Sequence, residues 1–357
     1  MTAPRRTYFP ETSSDARSAP ARTLLRQCAV LVRAAATGGT HAEAAVALFG
    51  RETGNVILRA SVVPASTTGW GGTEFGGMAL LISALAPASA AAQLIQRGIV
   101  VDMTGIANFA LPSRLTTTTD AGRWIPEAAG IPVIGLTGIG DTTPILHVYK
   151  IAVGVAYTRE VAVSSAIEQF IRGSLGLAIG LALDKKIFSS DAAVANTSPA
   201  GILTTTPLSA TTGGGVAALA GDIEKLLGAL VTAGVGIDPV LIVAPAQAAS
   251  IKCLAGAKFD FPVFSSAALA AGTVAMVEAS SFVSGFRDAP EIEATTEGTY
   301  TADDSSPTKE IVDSAGTVAP SVRSLWQSDC VALKARLPMA YALLVSTHAQ
   351  SITSCTW

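Results

Sequence analysis

Residues 165–188 read SAIEQFIRGSLGLAIGLALDKKIF, the longest uninterrupted helical signal in the chain. Apolar side chains fall at Ile167, Phe170, Ile171, Leu175, Ala178, Ile179, Ala182 and Ile187, the spacing that lines one face of a helix. Ser165 and Glu168 form an S-x-x-E pattern, in which each side chain can satisfy a free backbone N–H, so the start is marked. At 1.5 Å per residue the helix would run about 35 Å, the width of a small domain. It carries no catalytic group and reads as a structural spine between strand-like segments.

The surroundings bear this out as a pattern. Upstream, residues 148–157 alternate like a strand and lead into Thr158-Arg159-Glu160. Downstream, 189–217 read as a loop. An amphipathic helix is predicted over 222–233, with Ile223, Leu226, Leu227, Leu230 and Val231 on one face and Gly234 at its end. A buried strand follows at 240–243, and Pro245 suits the first turn of a helix running to about Leu254. Further strands are predicted at 262–264, 273–278, 291–295, 325–337 and 341–346, with a polar loop at 302–308. Toward the start, 78–98 and 22–52 look helical, the latter broken at Gly38-Gly39; 56–63 is strand-like, 69–77 is a Gly-rich connector, and 1–21 is a polar arm. Helices and strands do not strictly alternate, so the class is α+β.

Residues 107–147 differ from the rest. They hold a Thr run at 116–119, four prolines, and glycines at 122, 130, 135, 138 and 140, with no amphipathic face large enough for a core. So long a coreless stretch inside a compact domain is usually functional or disordered. An extended β-hairpin that finds its partner on another subunit fits it.

Composition narrows the function. Of 357 residues, 49% are hydrophobic and only 14% charged, about half the usual charged share. Large buried interfaces tolerate few charges at their cores, so such a surface suits self-association. The net charge of −3 and the absence of any basic block longer than Arg5-Arg6 or Lys185-Lys186 argue against a dedicated nucleic-acid surface. Cys28, Cys253, Cys330 and Cys355 are far apart with no C-x-x-C, which speaks against a metal cluster or disulfide framework and fits a reducing compartment. His41, His147 and His348 are isolated in sequence, and no secretory signal or membrane-spanning run is expected.

Motifs for chemistry are sparse. There is no G-x-x-x-x-G-K-[ST], G-x-S-x-G or H-E-x-x-H. Gly213-Gly214-Gly215 precedes a helix without the dinucleotide fingerprint and reads as a flexible linker. Asp303-Asp304 reads as a solvated turn. Glu291 and Glu293 share one strand face, as an acid/base pair can, with no histidine near them in sequence.

Read in order, several pieces resemble the major capsid protein of tailed bacteriophages, the Hong Kong 97-type head fold. Arg123-Trp124-Ile125-Pro126-Glu127 looks like that family's W-V-x-E motif and is followed by Pro132-Val133. Tyr149-Lys150-Ile151-Ala152 and Thr158-Arg159-Glu160 precede the long helix. Its end, residues 178–188 with Asp184, resembles the end of the family's spine helix. Ser198-Pro199-Ala200-Gly201-Ile202-Leu203 matches the following P-x-G-I/L turn. Residues 261–266 and 272–274 match a P-V-x-x-S…G-x-V pair, and 324–334 with Trp357 resemble the closing strand and terminus. The resemblance covers about 70–357; residues 1–60 match poorly.

The resemblance implies an N-terminal arm and helical region at 1–60, a connector at 61–106, and an extended loop at 107–147. It implies a peripheral domain with the spine helix at 148–217, a mostly axial domain at 218–320, and return strands at 321–357. It further implies a non-enzymatic virion protein, without cofactor or metal, that self-assembles in the host bacterial cytoplasm into hexamers and pentamers. The icosahedral shell would enclose double-stranded DNA without sequence-specific binding, with portal and decoration or scaffolding proteins as partners and no membrane. Arg114, Arg123, Trp124 and Glu127 on the loop are expected to meet a neighbour at Glu168, Arg172 or Lys185. Some members weld subunits through a lysine on this loop; 107–147 contain none, so contacts here are expected to be non-covalent, Lys150 lying just outside. Two alternatives stand beside this reading. One is an encapsulin-type compartment of the same fold. The other is an α/β enzyme with a site drawn from residues such as Glu291, Asp303 and His348.

Overall fold

The computed structural model describes residues 19–51, 89–111, 145–164, 167–255, 259–287, 291–301, 311–312, 318–319 and 321–357, together with residues 53 and 85. Among these the helices are α1 (Ala19–Thr37), α2 (His41–Phe49), α3 (Ala90–Arg97), α4 (Arg159–Val163), α5 (Ile167–Ile187), α6 (Gly215–Thr232) and α7 (Pro245–Leu254). The strands are β1 (Ile99–Asp102), β2 (Asn108–Ala110), β3 (Ile145–His147), β4 (Tyr149–Thr158), β5 (Leu208–Ser209), β6 (Pro239–Val243), β7 (Val263–Ser265) and β8 (Val274–Glu278). They continue with β9 (Phe282–Phe286), β10 (Glu291–Thr295), β11 (Thr299–Thr301), β12 (Ile311–Val312), β13 (Val318–Ala319), β14 (Val322–Ser324), β15 (Cys330–Leu343) and β16 (Ala349–Thr353). Helices with mixed sheets make the class α+β, as expected.

The chain forms two compact units, one of Met1–Ala65, Gly154–Ser174 and Ile292–Lys334, the other of Ser66–Val153, Leu175–Glu291 and Ala335–Trp357. In the first, α1 and α2 make a helical hairpin. Gly38 turns the chain at φ +66°, and Thr40 caps α2 by accepting from Glu43 N–H while the Glu43 carboxylate accepts from Thr40 N–H at 3.0 Å. Val30 and Ala34 pack on Ala44 and Ala45, and the Arg33 guanidinium donates to the Val163 carbonyl at 3.1 Å, holding α1 to α4.

The second unit centres on a five-stranded sheet of order β5-β16-β8-β6-β7. β6 and β7 are parallel and joined through α7, whereas β8 runs antiparallel to both β6 and β16. Val240 to Val243 and Val274 to Val277 are buried residue after residue, because helices and chain cover both faces; hence these strands read as continuous apolar runs. Leu219, Leu226 and Leu230 of α6 and Ile251 of α7 close one face over Leu241, Val243, Met276 and Ile352. Each such side chain removed from water contributes about 1.5–3 kcal/mol.

A second sheet has the order β1-β9-β15-β10, with β4 also pairing β15. β1 is parallel to β9, and β9 antiparallel to Met339 through Leu343 of β15.

Several sequence expectations need correction. The 222–233 helix begins seven residues earlier, at Gly215. Gly213, Gly214 and Gly215 all hold positive φ (+103°, +70° and +67°), so they are the left-handed turn into α6 rather than a linker. β9 was not predicted. It is short, and its Gly285 lies where any Cβ would run into the Met103 thioether, so a packing glycine interrupts the apolar run. Residues 325–329 form a turn with Asp329 at φ +46° before β15, not the first part of a strand. β15 then continues through Pro338, where a break was expected. Pro338 lacks an N–H, but it lies one residue outside the β9 ladder. The strand predicted over 341–346 is the end of β15, which stops at Leu343; Ser346 lies in a short 3-10 turn, and β16 beyond it was not predicted. Of the arm predicted over 1–21, residues 1–18 lie outside the described residues and 19–21 belong to α1. The predicted strand at 56–63, the connector at 69–77 and the loop at 302–308 lie outside the described residues.

Candidate functional site

α5 is the expected long helix, running Ile167–Ile187, about 31 Å. Ser165 lies outside the described residues, and so does the capping box it would make with Glu168. Ile171, Ile179, Leu183 and Ile187 are buried. Asp184 is buried among them at 2% exposure, and its partners explain why a carboxylate sits on an apolar face. Oδ1 accepts from Ser89 Oγ at 2.5 Å and Ala91 N–H at 2.9 Å; Oδ2 accepts from Ala90 N–H at 3.2 Å and Ser266 Oγ at 2.6 Å. Asp184 therefore caps α3 from another element, satisfying two of its orphan amides beside the positive end of its dipole. Ser89 caps the same helix through Ala92 N–H at 3.1 Å, and Ser266, just past β7, is tied to the same carboxylate. One side chain thus joins the end of α5, the start of α3 and the edge of the central sheet.

The P-A-G-I-L turn closes the same end. Ile202 N–H donates to the Ile187 carbonyl at 2.9 Å and Leu203 N–H to the Ser189 carbonyl at 3.2 Å, while the Tyr341 hydroxyl donates to the Lys186 carbonyl at 3.0 Å. These carbonyls have no partner inside the helix. Gly201 packs so closely that any Cβ would strike the Ser189 carbonyl, so the glycine of the motif is a packing requirement.

On the outer side, Leu177 is 59% and Leu181 47% exposed, in line with exposed Lys185 at four-residue intervals. The sequence pattern placed a polar face here and missed the two leucines. They lie outside the inward stripe, and an exposed Leu pair on a helix cannot be told from a core pair by spacing alone.

The ends of the 107–147 segment form the base of a hairpin. Asn108 pairs with His147, Phe109 with Leu146 and Ala110 with Ile145, antiparallel. Asn108 Oδ1 also meets His147 Nδ1. Leu111 and Leu146 anchor the base in a cluster with Met103, Val283 and Ala340, whereas Ile145, where the chain leaves, is 60% exposed. Arg114, Arg123, Trp124 and Glu127 lie outside the described residues, as do the side chains of Glu168 and Arg172. Lys185 is exposed on α5.

Glu293 pairs with Lys334 at 2.7 Å, both exposed, and exposed Glu291 pairs with half-buried Arg336 at 3.1 Å, so both carboxylates are held in cross-strand ion pairs. His348 is buried with Nδ1 on Ser281 Oγ at 2.7 Å, a structural bond. Asp303 lies outside the described residues. Cys28 and Cys355 are buried free thiols, pushed up to about 12 by burial. Among the described residues no group of His, Cys, Asp or Glu is placed to hold a metal ion, and no helix is long and apolar enough to cross a membrane.

A second buried carboxylate fixes the terminal Trp357. Asp222 of α6 accepts from the Trp357 indole at 2.7 Å and from Thr211 N–H at 2.6 Å. Burial pushes its carboxyl up, but these bonds and one from Cys355 outweigh it, and the group sits below the usual carboxylate range. A depressed folded value adds stability above the unfolded value and loses it as pH falls through the folded one. The stability gap between the wild type and Asp222→Asn is therefore expected to narrow as pH drops below about 4, read by urea midpoints across pH.

No protein-family model and no curated protein sequence matches the chain. Among solved structures it is similar to one from Microbacterium phage Oxtober96, at 17% identity over 74% of this chain and 91% of that one, with a TM-score of 0.49. It is similar to the satellite phage P4 procapsid with its size determination (Sid) protein, at 10% identity, 84% and 95% coverage and a TM-score of 0.46. It is also similar to the capsid of a native GTA particle, at 14% identity, 74% and 91% coverage and a TM-score of 0.44.

Proposed function

We propose that this chain is a major capsid protein of a tailed phage or prophage. It has a Hong Kong 97-type head fold and self-assembles, without a chemical step, into an icosahedral shell around double-stranded DNA. The observation that carries the reading is the junction at the end of α5. The aspartate and the P-A-G-I-L turn, quoted from sequence as capsid-like motifs, each have a physical role there, and both roles fasten the spine helix.

In this reading α5 is the spine of the peripheral domain, and the sheet with α6 and α7 belongs to the axial domain that gathers around five-fold and six-fold axes. The chain between β2 and β3 reaches over a neighbour and lies along Leu177, Leu181 and Lys185 of that neighbour's α5. Leucines supply apolar area at the contact, and Lys185 and the loop's Arg114, Arg123 and Glu127 set register more than affinity. Contacts of ~1,600 Å² are in the specific range, and repetition around a closed shell multiplies them. Closure follows when a heterologous contact's rotation closes. The mildly acidic balance suits an inner wall that does not grip DNA.

The double variant Leu177→Glu with Leu181→Glu tests the contact. Both side chains are exposed, so the urea midpoint is expected to stay within about 0.5 kcal/mol of wild type. Particles are expected to disappear from sedimentation profiles. Particles of normal yield would remove α5 from the interface.

A further inference from the structure

Residues 354–357 cross the turn before β8 and the start of α6. Cys355 N–H donates to the Gly272 carbonyl at 2.9 Å, and a Cβ on Gly272 would come within 3.3 Å of Ser354 Cα. The Thr356 carbonyl passes Gly214 at ordinary contact distance. Cys355 and Trp357 are buried in the same cluster as Leu219, Leu230 and Ile352. Ser354 holds φ +62°, a left-handed backbone that is costly for a residue with a Cβ and persists only where its surroundings fix it. Beyond Ser354 the polar anchor is one side chain. Asp222, 0% exposed, accepts from the Trp357 indole at 2.7 Å, from Thr211 N–H at 2.6 Å and from the Cys355 thiol.

We propose that residues 354–357 are a latch on the central sheet, closed while Asp222 is ionised and opened as a unit when it takes up a proton, which brings the Cys355 thiol into water. An ionised carboxylate only accepts, and all three of its partners here are donors. A proton on Oδ1 faces Thr211 N–H, and one on Oδ2 faces the indole N–H, so either sets donor against donor. The strain at Ser354 then favours opening. β16 stays in place, because Ala349 through Ile352 remain paired with β8. Cys355 is the titratable group in contact with Asp222. On α6 itself, Glu224 and Lys225 are exposed, and Lys225 donates to the Ser209 carbonyl at 3.0 Å. β5 and β16 bring no titratable side chain, β8 brings Glu278, which accepts from Asp238 N–H, and α7 brings exposed Lys252 and Cys253. Burial pushes the Asp222 carboxyl up, but its donors outweigh this and hold it below the usual range. Closure is therefore at full strength above the ordinary carboxylate value of about 3.9 and weakens as pH falls through the lower value of the closed state.

The test labels dispersed full chains with a dipyridyl disulfide, which reacts with thiols even in acid, and reads each cysteine separately by peptide mass spectrometry. Exposed Cys253 gives the reference rate at every pH, so the ratio of Cys355 to Cys253 labelling reports opening. Circular dichroism at the same pH shows whether the fold is kept. In the wild type the ratio is expected to rise about ten-fold between about pH 6 and pH 3 with the fold kept, because bonds to a charged acceptor are replaced by weaker ones. Asp222→Asn is expected to start high and to stay flat across the same range. Trp357→Phe keeps an aromatic ring and removes one donor, so its rise is expected to be smaller than that of the wild type. The wild type and Trp357→Phe decide the matter even where Asp222→Asn fails to fold, and shell formation plays no part in the readout. A wild-type ratio indifferent to pH, a full rise retained by Asp222→Asn or Trp357→Phe, or Cys355 labelling that begins only where the fold is lost overturns the proposal.

Discussion

Replacing residues 112–142 by a short Gly-Ser linker is expected to leave a chain that folds and no longer forms shells. The cores described for the two units draw on other segments: Val30, Ala34 and Ala44 in one, Leu226, Leu241 and Met276 in the other. The hairpin base survives the deletion, because Leu111 and Leu146 lie outside it and pack on Met103 and Val283. Loop-closure entropy changes by only about 0.6 kcal/mol per doubling of length, so the shorter loop does not threaten the base. Assembly loses a contact that every subunit repeats, and a repeated contact has a multiplied effect on a closed shell. Circular dichroism and a urea melt read the first half of the expectation, negative-stain microscopy the second. Loss of folding would place the segment in the core and contradict the assignment.

Asp184→Ala is expected to be the most destabilising single substitution named here. It removes four hydrogen bonds to one side chain and leaves two backbone amides and two buried hydroxyls without it. A hydrogen bond contributes about 0.5–1.5 kcal/mol net, and each stranded buried donor costs about 1–3 kcal/mol, only partly additive. A loss of about 3–5 kcal/mol is the expected size, a large part of the total stability of an ordinary domain. Asp184→Asn keeps one acceptor oxygen but presents an amide donor to Ala90 N–H or its neighbours, so an intermediate loss is expected. Urea midpoints of dispersed chains measure both. A loss under about 1 kcal/mol for Asp184→Ala would mean that the junction does not hold α5 in place.

Much of this was legible in sequence for physical reasons. α5, α7 and β6 follow from periodicity, a first-turn proline and an apolar run that belongs to a doubly covered strand. The extended hairpin was read from a coreless stretch, but its base, residues 108–110 on 145–147, was not read as paired strands. What was missed depends on distant partners. β9 needed the contact of Gly285 with Met103, which no local pattern reveals. β15 could be read as one strand only by knowing that Pro338 falls outside a ladder set by β9. At the candidate site, Asp184 was singled out as a motif residue, but its role depends on Ser89 and Ser266, which are remote in sequence. Leu177 and Leu181 were hidden because an exposed apolar pair carries the same spacing as a buried one.

The central claim, self-assembly into a closed shell, is tested most directly by negative-stain microscopy of the full chain after expression. Closed, uniform, hollow particles are the predicted result. A monodisperse monomer that stays dispersed as its concentration is raised would contradict the claim.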